Sequence, residues 1–249
     1  MTHEEQLKTL LSKGHDIYNP LILNGELYQD SPRRPFSDQH KRFDFIDFEG
    51  KRVLDVGCYN GYTAFEAINR GAASYVGVES NKEPDGVGRI LDVAEIVKES
   101  NKLDSASFIE GELKELEHLV DVEDFDVVTV LSLNESLQLF WSLMPVPWPY
   151  GELPSWYEFT KKKTVYIEPI NHPRARRDGS LTPPFTRAEW AEMIKEASGN
   201  PFNVGVEFLT FTDYQDRPLI KLTCPAAKTK KKIKRGNLSS SLLDKFDFR

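Results

Sequence analysis

The sequence predicts an α/β fold in which a mostly parallel sheet is covered by helices on both faces. From Lys51 onward, short β-branched runs alternate with stretches of helical periodicity. The first of those runs ends in a glycine-bearing turn, Gly57-Cys58-Tyr59-Asn60-Gly61. The last two, 203–211 and 219–223, are joined by so few residues that they must pair as an antiparallel hairpin at the end of the otherwise parallel sheet.

Composition narrows the class. With 249 residues, 39% hydrophobic and 29% charged, the chain is long enough for one large domain with modest appendages and a sizeable core. No run of eighteen apolar residues occurs, and Met1, Thr2, His3, Glu4 and Glu5 lack the basic-then-apolar layout of a secretory signal. A soluble, cytoplasmic protein with no membrane partner is expected. Cys58 and Cys224 are the only cysteines, too few for a disulfide framework or a zinc cluster, so no metal site is expected. The net charge of −7 conceals an asymmetry: residues 227–249 carry eight basic side chains against Asp244 and Asp247, or +6, which leaves −13 on the rest. So acidic a body does not suit a general nucleic-acid binder. The tail reads as a solvated, flexible end, or as a handle for RNA or a partner.

In chain order, Thr2 to Gly14 reads as an amphipathic helix: Thr2 and Glu5 form a capping box, Leu7, Leu10 and Leu11 share a face, and Gly14 stops it. It is expected to pack on the main domain. Residues 18–36 read as irregular, broken by Pro20, Gly25, Pro32 and Pro35, after which Ser37 is placed to cap a helix carrying Phe43, Phe45 and Ile46 that ends at Gly50. Strands are expected at 52–56, 74–79, 107–109, 125–131 and 164–168. Helices are expected over 62–70, closed by Gly71, over 87–100 and 134–143, and from Thr186 to Ser198. Two proline-rich insertions interrupt this rhythm, at 145–154 (PVPWPYGELP) and at 169–184. The organisation expected is therefore an N-terminal helical extension, 1–50, a main domain, 51–226, and a basic tail, 227–249.

The glycine turn sits where a first strand meets a first helix, so backbone there can approach a ligand beyond the strand ends. Glu79 closes the second strand, 24 positions after Asp55, where a carboxylate can accept hydrogen bonds from both hydroxyls of a ribose. The side chains bear on which nucleotide is meant. Counted from Gly57, a dinucleotide fingerprint requires glycine at 59 and glycine or alanine at 62, where this chain has Tyr59 and Tyr62. S-adenosylmethionine brings no phosphate and needs less clearance, and its positive charges favour a nearby carboxylate such as Asp55. A nicotinamide-dependent dehydrogenase is the disfavoured alternative.

The run VLDVGCYNGYTAFEAINRGAASYVGVE resembles the first two motifs of class I S-adenosylmethionine-dependent methyltransferases, and the likeness extends more loosely over residues 51–223. That resemblance implies a Rossmann-like fold with a seven-stranded sheet, and S-adenosylmethionine as cofactor with S-adenosylhomocysteine as product. It implies that Asp55, Gly57 and Gly61, with Cys58 and Tyr59 between them, line the methionine and ribose part, that Glu79 holds the ribose, and that Glu112, followed by Leu113, lies beside the adenine amino group. Leu131 would open the loop after the fourth strand. The family commonly has glycine where this chain has Tyr59, so that residue is expected to reshape one wall of the pocket. The GC-x-NG turn, FEA-type helix and RGA loop are similar to methyltransferases related to those acting on tRNA wobble uridine, mainly over residues 50–80 and on the cofactor side.

Methyl transfer from a sulfonium is an in-line displacement with an activated leaving group, so the protein mainly aligns the reactants and excludes water, with a base needed only for a proton-bearing acceptor. The acceptor is expected beyond the carboxyl ends of the fourth and fifth strands, within reach of Ser132, Asn134, Glu135, Glu168, Asn171 and His172. Asn134 and Glu135 are equally a helix N-cap and a first-turn acid. His172 is the candidate base near neutral pH, beside Glu168 and Asn134. Trp141, Trp148, Tyr150, Trp156 and Tyr157 read either as a stacking lid or as packing. Lys161, Lys162, Lys163, Arg174, Arg176 and Arg177 suit an anionic acceptor, or keep an insertion soluble. An oxygen or nitrogen on a small, anionic molecule is the favoured acceptor. The alternatives are RNA, engaged through the tail and the cluster from Arg174 to Arg177, and a silent binding subunit that kept the fold without the chemistry.

Overall fold

Thr2 opens the first helix, α1 (His3–Leu11), through the expected reciprocal capping box: Glu5 N–H donates to Thr2 Oγ1 at 3.2 Å, and Thr2 N–H donates to Glu5 Oε2 at 2.7 Å. The structure is a computed structural model that describes residues 1–11, 17–32, 34–80, 90–112, 115–143, 163–171, 174–175, 181–200, 204–212 and 216–224. Among these, no helix is long and apolar enough to cross a membrane.

The segment expected to be irregular contains a β-hairpin, β1 (Leu21–Leu23) and β2 (Glu26–Gln29). The reason is local: Asn24 and Gly25 both take positive φ, 54° and 80°, the pair of left-handed residues that a tight two-residue turn requires. Asn101 clamps the hairpin, donating to Ile22 O at 2.7 Å and accepting from Gly25 N–H at 2.8 Å. A second correction concerns Ser37. Helix α2 (Phe36–Arg42) starts before it, with Pro35 at the N-cap, and Asp30 Oδ1 reaches across to accept from Phe36 N–H at 2.7 Å. Phe43–Phe45 continue as one tight turn that buries Phe43 and leaves Phe45 exposed.

Strands β3 (Arg52–Val56), β4 (Ser74–Glu79) and, further on, β7 (Thr164–Glu168) coincide with the expected ranges. Strand β5 (Ala106–Glu110) is one residue longer at each end, and β6 (Val127–Leu131) starts two residues late. Asp126 is instead engaged with Arg52, its carboxylate accepting from Arg52 Nε at 3.1 Å and from the Arg52 N–H at 3.0 Å. Helix α3 (Tyr62–Asn69) stops at Gly71, whose φ of +88° no side chain takes easily. Helix α4 (Ile90–Ser100) follows, and its expected first turn, from Val87, lies outside the described residues. Next come a short helix, α5 (Leu116–Leu119), and α6 (Asn134–Ser142), in which Leu133 and not Asn134 is the N-cap. The second insertion contains a two-residue ladder, β8 (Arg174–Ala175) with β9 (Leu181–Thr182), and the first lies outside the described residues. Helix α7 (Arg187–Ser198) starts from a Thr186–Glu189 capping box, and β10 (Gly205–Thr212) and β11 (Arg217–Thr223) pair antiparallel as expected.

Seven strands hydrogen-bond in the order β10-β11-β7-β6-β3-β4-β5. Strand β3 pairs parallel with β4 and β6, β4 with β5, whereas β11 runs antiparallel to β7. Every residue of β6 is buried, as a strand covered on both faces requires.

The chain divides into two compact units, Met1–Thr129 and Val130–Arg249. In the first, Leu7 of α1, Leu21 and Leu23 of β1, and Ile90, Val93, Ile96 and Val97 of α4 form one buried cluster, so α1 packs where its apolar face predicted. In the second, Trp190 of α7 meets Phe140 and Phe185 edge-on, with ring centroids 5.8 and 5.3 Å away.

Candidate functional site

The turn between β3 and α3 is built from left-handed backbone. Gly57 and Gly61 have φ of 78° each, and Tyr59 has φ of 50°. Gly57 N–H donates to Val78 O at 2.8 Å and Gly61 N–H to Cys58 O at 3.1 Å, which folds the turn tightly against the end of β4. Gly61 is also the N-cap of α3, and a Cβ there would lie 3.0 Å from the Phe108 ring and 3.2 Å from the Ala94 Cβ. Glycine is thus required at 61 both by dihedral and by contact.

Tyr59 takes the conformation that a glycine would take. A non-glycine residue in that region costs about 1–2 kcal/mol, offset here by its ring. The ring packs against the cluster of α1, β1 and α4 and meets Tyr18 edge-on at 6.3 Å. Its amide faces the other way: Tyr59 N–H donates to Glu79 Oε2 at 3.0 Å. Ser80 N–H donates to the other oxygen, Oε1, at 2.9 Å. The Glu79 carboxylate, half-buried at the end of β4, is therefore held by one backbone N–H on each oxygen. Ser80 Oγ also donates to Oε1, at 3.3 Å, so Oε2 keeps a further lone pair for a ligand hydroxyl, and Oε1 gains one when the Ser80 hydroxyl turns away.

Asp55 is differently placed. It is 1% exposed, and its carboxylate accepts from Tyr75 Oη and from Thr129 Oγ1, both at 2.6 Å. Burial pushes this carboxyl up to about 6, against the pull of these two hydroxyls, of Arg42 and of the Thr63 hydroxyl. Asp55 braces the turn from beneath. Cys58 also faces inward, its side chain filling the space above Gly77, where a Cβ would lie 2.6 Å from that of Cys58; burial holds its thiol well above the ordinary range. Glu112 follows β5, half-buried, and Gly111 N–H ties that end to Glu79 O at 3.0 Å. Leu113 lies outside the described residues.

Leu131, buried, ends β6, and Ser132 beyond it has φ of 67° and donates its N–H to Glu168 O at 3.0 Å. Glu168 ends β7 wholly buried, 3.9 Å from the equally buried Arg217 of β11. That places it as an internal charge partner, out of reach of solvent. Asn171 uses its side-chain amide to hold the backbone of Phe185, donating to its O at 2.8 Å and accepting from its N–H at 2.7 Å. Asn134 is the first residue of α6. His172, Lys161, Lys162, Arg176, Arg177, the aromatics at 148, 150, 156 and 157, and the basic tail lie outside the described residues.

Sequence reasoning missed how the N-terminal extension grips the turn. Asn60 is fully buried, and its Nδ2 donates to Asn19 O at 3.1 Å and to Pro20 O at 3.2 Å. Tyr62, next to the turn, donates to buried Glu66 at 2.7 Å and meets Phe36 of α2 edge-on. Arg34, Gln39 and Arg42 of the extension are buried as well. The detectable signal was Asn60 itself, an amide inside a turn otherwise made of small or backbone-determining positions.

Residues 47–144 match a family model described as a methyltransferase domain. A tRNA U34 carboxymethyltransferase of Pseudomonas savastanoi pv. phaseolicola (strain 1448A / Race 6) is 53% identical over 36 residues, 14% of this chain and 11% of that protein. A ubiquinone biosynthesis O-methyltransferase of Hahella chejuensis (strain KCTC 2396) is 34% identical over 100 residues, 38% of this chain and 37% of that protein. The bifunctional kinase-methyltransferase WbdD has a solved structure similar in fold, with a TM-score of 0.54 at 17% identity, covering 88% of this chain and 46% of that one. The matches span less than two thirds of each relative's own length.

Proposed function

We propose that this chain, which carries a class I S-adenosylmethionine-dependent methyltransferase domain, transfers a methyl group to an oxygen or nitrogen of a small molecule. The observation that supports the cofactor assignment most directly is the fixed Glu79 carboxylate, oriented by the Tyr59 and Ser80 amides beside a left-handed glycine turn. The surroundings fit a polar, phosphate-free nucleoside. Asn19, whose backbone carbonyl Asn60 holds, has a buried Oδ1 with no hydrogen-bond partner among the described residues, and Tyr62, buried against Phe36 and Phe43, stands where a dinucleotide fingerprint requires glycine or alanine.

Bound S-adenosylmethionine supplies an activated methyl: the acceptor's lone pair takes the methyl carbon, the carbon–sulfur electrons return to sulfur, and any acceptor proton leaves. Glu79 accepts from the ribose hydroxyls, and Glu112 lies beside the adenine amino group. Asp55, through Tyr75 and Thr129, keeps β3, β4 and β6 in register beneath the turn. His172, which follows β7 in the chain, takes the proton of a hydroxyl acceptor. An acceptor of anionic character suits the basic residues of the second insertion.

The choice of a small acceptor rests on the longer of the two partial matches, over 100 residues to a protein named as an O-methyltransferase. RNA is the second reading, favoured by 53% identity over 36 residues to a protein named for tRNA U34. Incubation with methyl-labelled S-adenosylmethionine, a metabolite extract and total tRNA separates them. Label in the small-molecule fraction, lost on His172→Ala for a hydroxyl acceptor, is the expected result. Label in tRNA would transfer the assignment to RNA, and binding of S-adenosylhomocysteine without any transfer would favour a silent binding subunit.

A further inference from the structure

Two of the donors to the Glu79 carboxylate travel with it: Ser80, its neighbour in the chain, gives Oε1 an N–H at 2.9 Å and a hydroxyl at 3.3 Å. Among the described residues, the donor to Oε2 is the Tyr59 N–H, at 3.0 Å, and that bond ties the carboxylate to the turn. The tie depends on Tyr59 holding a φ of 50°, a conformation that disfavours any residue with a Cβ. What holds it there comes from the N-terminal extension. The Tyr59 ring meets that of Tyr18 edge-on, with centroids 6.3 Å apart and planes at 79°, and packs on the cluster that Leu7, Ile17 and Leu21 form with α4. A ring pair of this geometry is comparable in strength to the conformational penalty it opposes. Tyr18 is fixed in its turn. The Arg34 guanidinium lies over its ring, 4.7 Å from the centroid, and Ser31 Oγ donates to its carbonyl at 2.9 Å. The next two carbonyls, of Asn19 and Pro20, are those that Asn60 grips.

Three consecutive residues of the extension, Tyr18, Asn19 and Pro20, thus hold two consecutive residues of the turn, Tyr59 and Asn60. A glycine at 59 would reach the same φ unaided, but nothing would keep it there. A tyrosine makes the geometry conditional on the extension. We propose that Tyr18 is a positioning residue for ribose recognition: by packing edge-on against Tyr59 it holds that residue left-handed, so that the Tyr59 amide aims Glu79 at the ribose hydroxyls. The assignment rests on the methyltransferase reading. Tyr18 acts through Tyr59, and the extension becomes a determinant of which nucleoside the turn accepts.

Calorimetric titration of the full chain with S-adenosylhomocysteine and with its 2′-deoxy analogue, which differ in one ribose hydroxyl, tests this. A charge-assisted hydrogen bond to Glu79 makes the native protein favour the ribose ligand by about tenfold to a hundredfold. Tyr18→Ala is expected to lose most of that preference while binding the deoxy ligand much as the native protein does, and Tyr18→Phe, which keeps the ring, is expected to retain it. Equal weakening of both ligands by Tyr18→Ala, or a preference left at the native value, would make Tyr18 merely structural and overturn the proposal. So would a loss in Tyr18→Phe as large as in Tyr18→Ala. Adding Tyr18→Ala to Tyr59→Gly, where the left-handed conformation needs no support, should change the preference little; the same loss in both backgrounds would contradict a route through Tyr59. Should Tyr18→Ala not fold, Tyr18→Leu, which keeps apolar bulk without the ring, is read by the same ratio. Equal binding of the two ligands by the native protein would also overturn the proposal, whereas binding of neither would bring down the cofactor reading itself and this assignment with it.

Discussion

Asp55 shows how a motif residue can act without touching a ligand. Its carboxyl is raised from an ordinary value of 3.8 to about 6 because burial outweighs the hydroxyls of Thr129, Tyr75 and Thr63 and the charge of Arg42. Between those two values the folded protein binds more protons than the unfolded chain, so stability falls as pH rises through the window and is lowest above pH 6. The ionised carboxylate then costs on the order of 2–3 kcal/mol. Asp55→Asn, which keeps acceptor and shape, is expected to be more stable than the native protein at pH 7 by about 1–3 kcal/mol, with the difference gone near pH 4; urea unfolding at both pH values measures it. An equal difference at both pH values would mean that the carboxyl is not shifted. Gly61→Ala makes the opposite case: its Cβ would press on Phe108 at 3.0 Å from a φ of 78°, so a loss of about 1–3 kcal/mol is expected by the same assay.

At the scale of elements, the glycine turn depends on the segment that leads into the β1–β2 hairpin, Asn19 and Pro20 lying 41 and 40 positions before Asn60. Asn60 makes the connection with two hydrogen bonds, and Asn60→Ala leaves two buried carbonyls to find other partners. A cost of about 1–3 kcal/mol is expected, with faster amide exchange concentrated in residues 17–29. Exchange unchanged there would show that the hairpin is held by its apolar cluster alone. These tertiary links were illegible in the sequence, whereas strands β3, β4 and β7, the cap at Thr2 and the helix start at Thr186 were readable, because each is set by local pattern. The hairpin was misread although its Asn24-Gly25 signal was present; the surrounding prolines hid it. At the site, the glycines and the strand-ending acid were legible as a motif. The inward turn of Asp55 and Cys58, the pairing of Glu168 with Arg217, and the burial of Arg34 were not, since sequence spacing carries no information about which way a side chain finally points.

Over the whole molecule, charge bears on the acceptor. A body of −13 with a +6 tail repels a long polyanion except at local basic patches, while a small acceptor feels little of that field. Turnover on a small substrate is thus expected to change by less than about threefold between 50 and 200 mM salt, whereas an RNA acceptor held by several phosphates would lose binding by orders of magnitude. Rates measured across that range on either labelled product check it. Within the unit Val130–Arg249, the buried Glu168–Arg217 pair implies that Arg217→Met removes the cation facing a buried carboxylate and destabilises by about 3–5 kcal/mol, while replacing both partners by apolar residues costs much less. The central claim is that the Glu79 carboxylate and the turn it faces form an adenosyl-cofactor site. Calorimetric titration of S-adenosylhomocysteine into the native protein and into folded Glu79→Ala tests it most directly. The account predicts binding by the native protein, weakened at least tenfold by the substitution; no binding by the native protein, or equal binding by both, would contradict it.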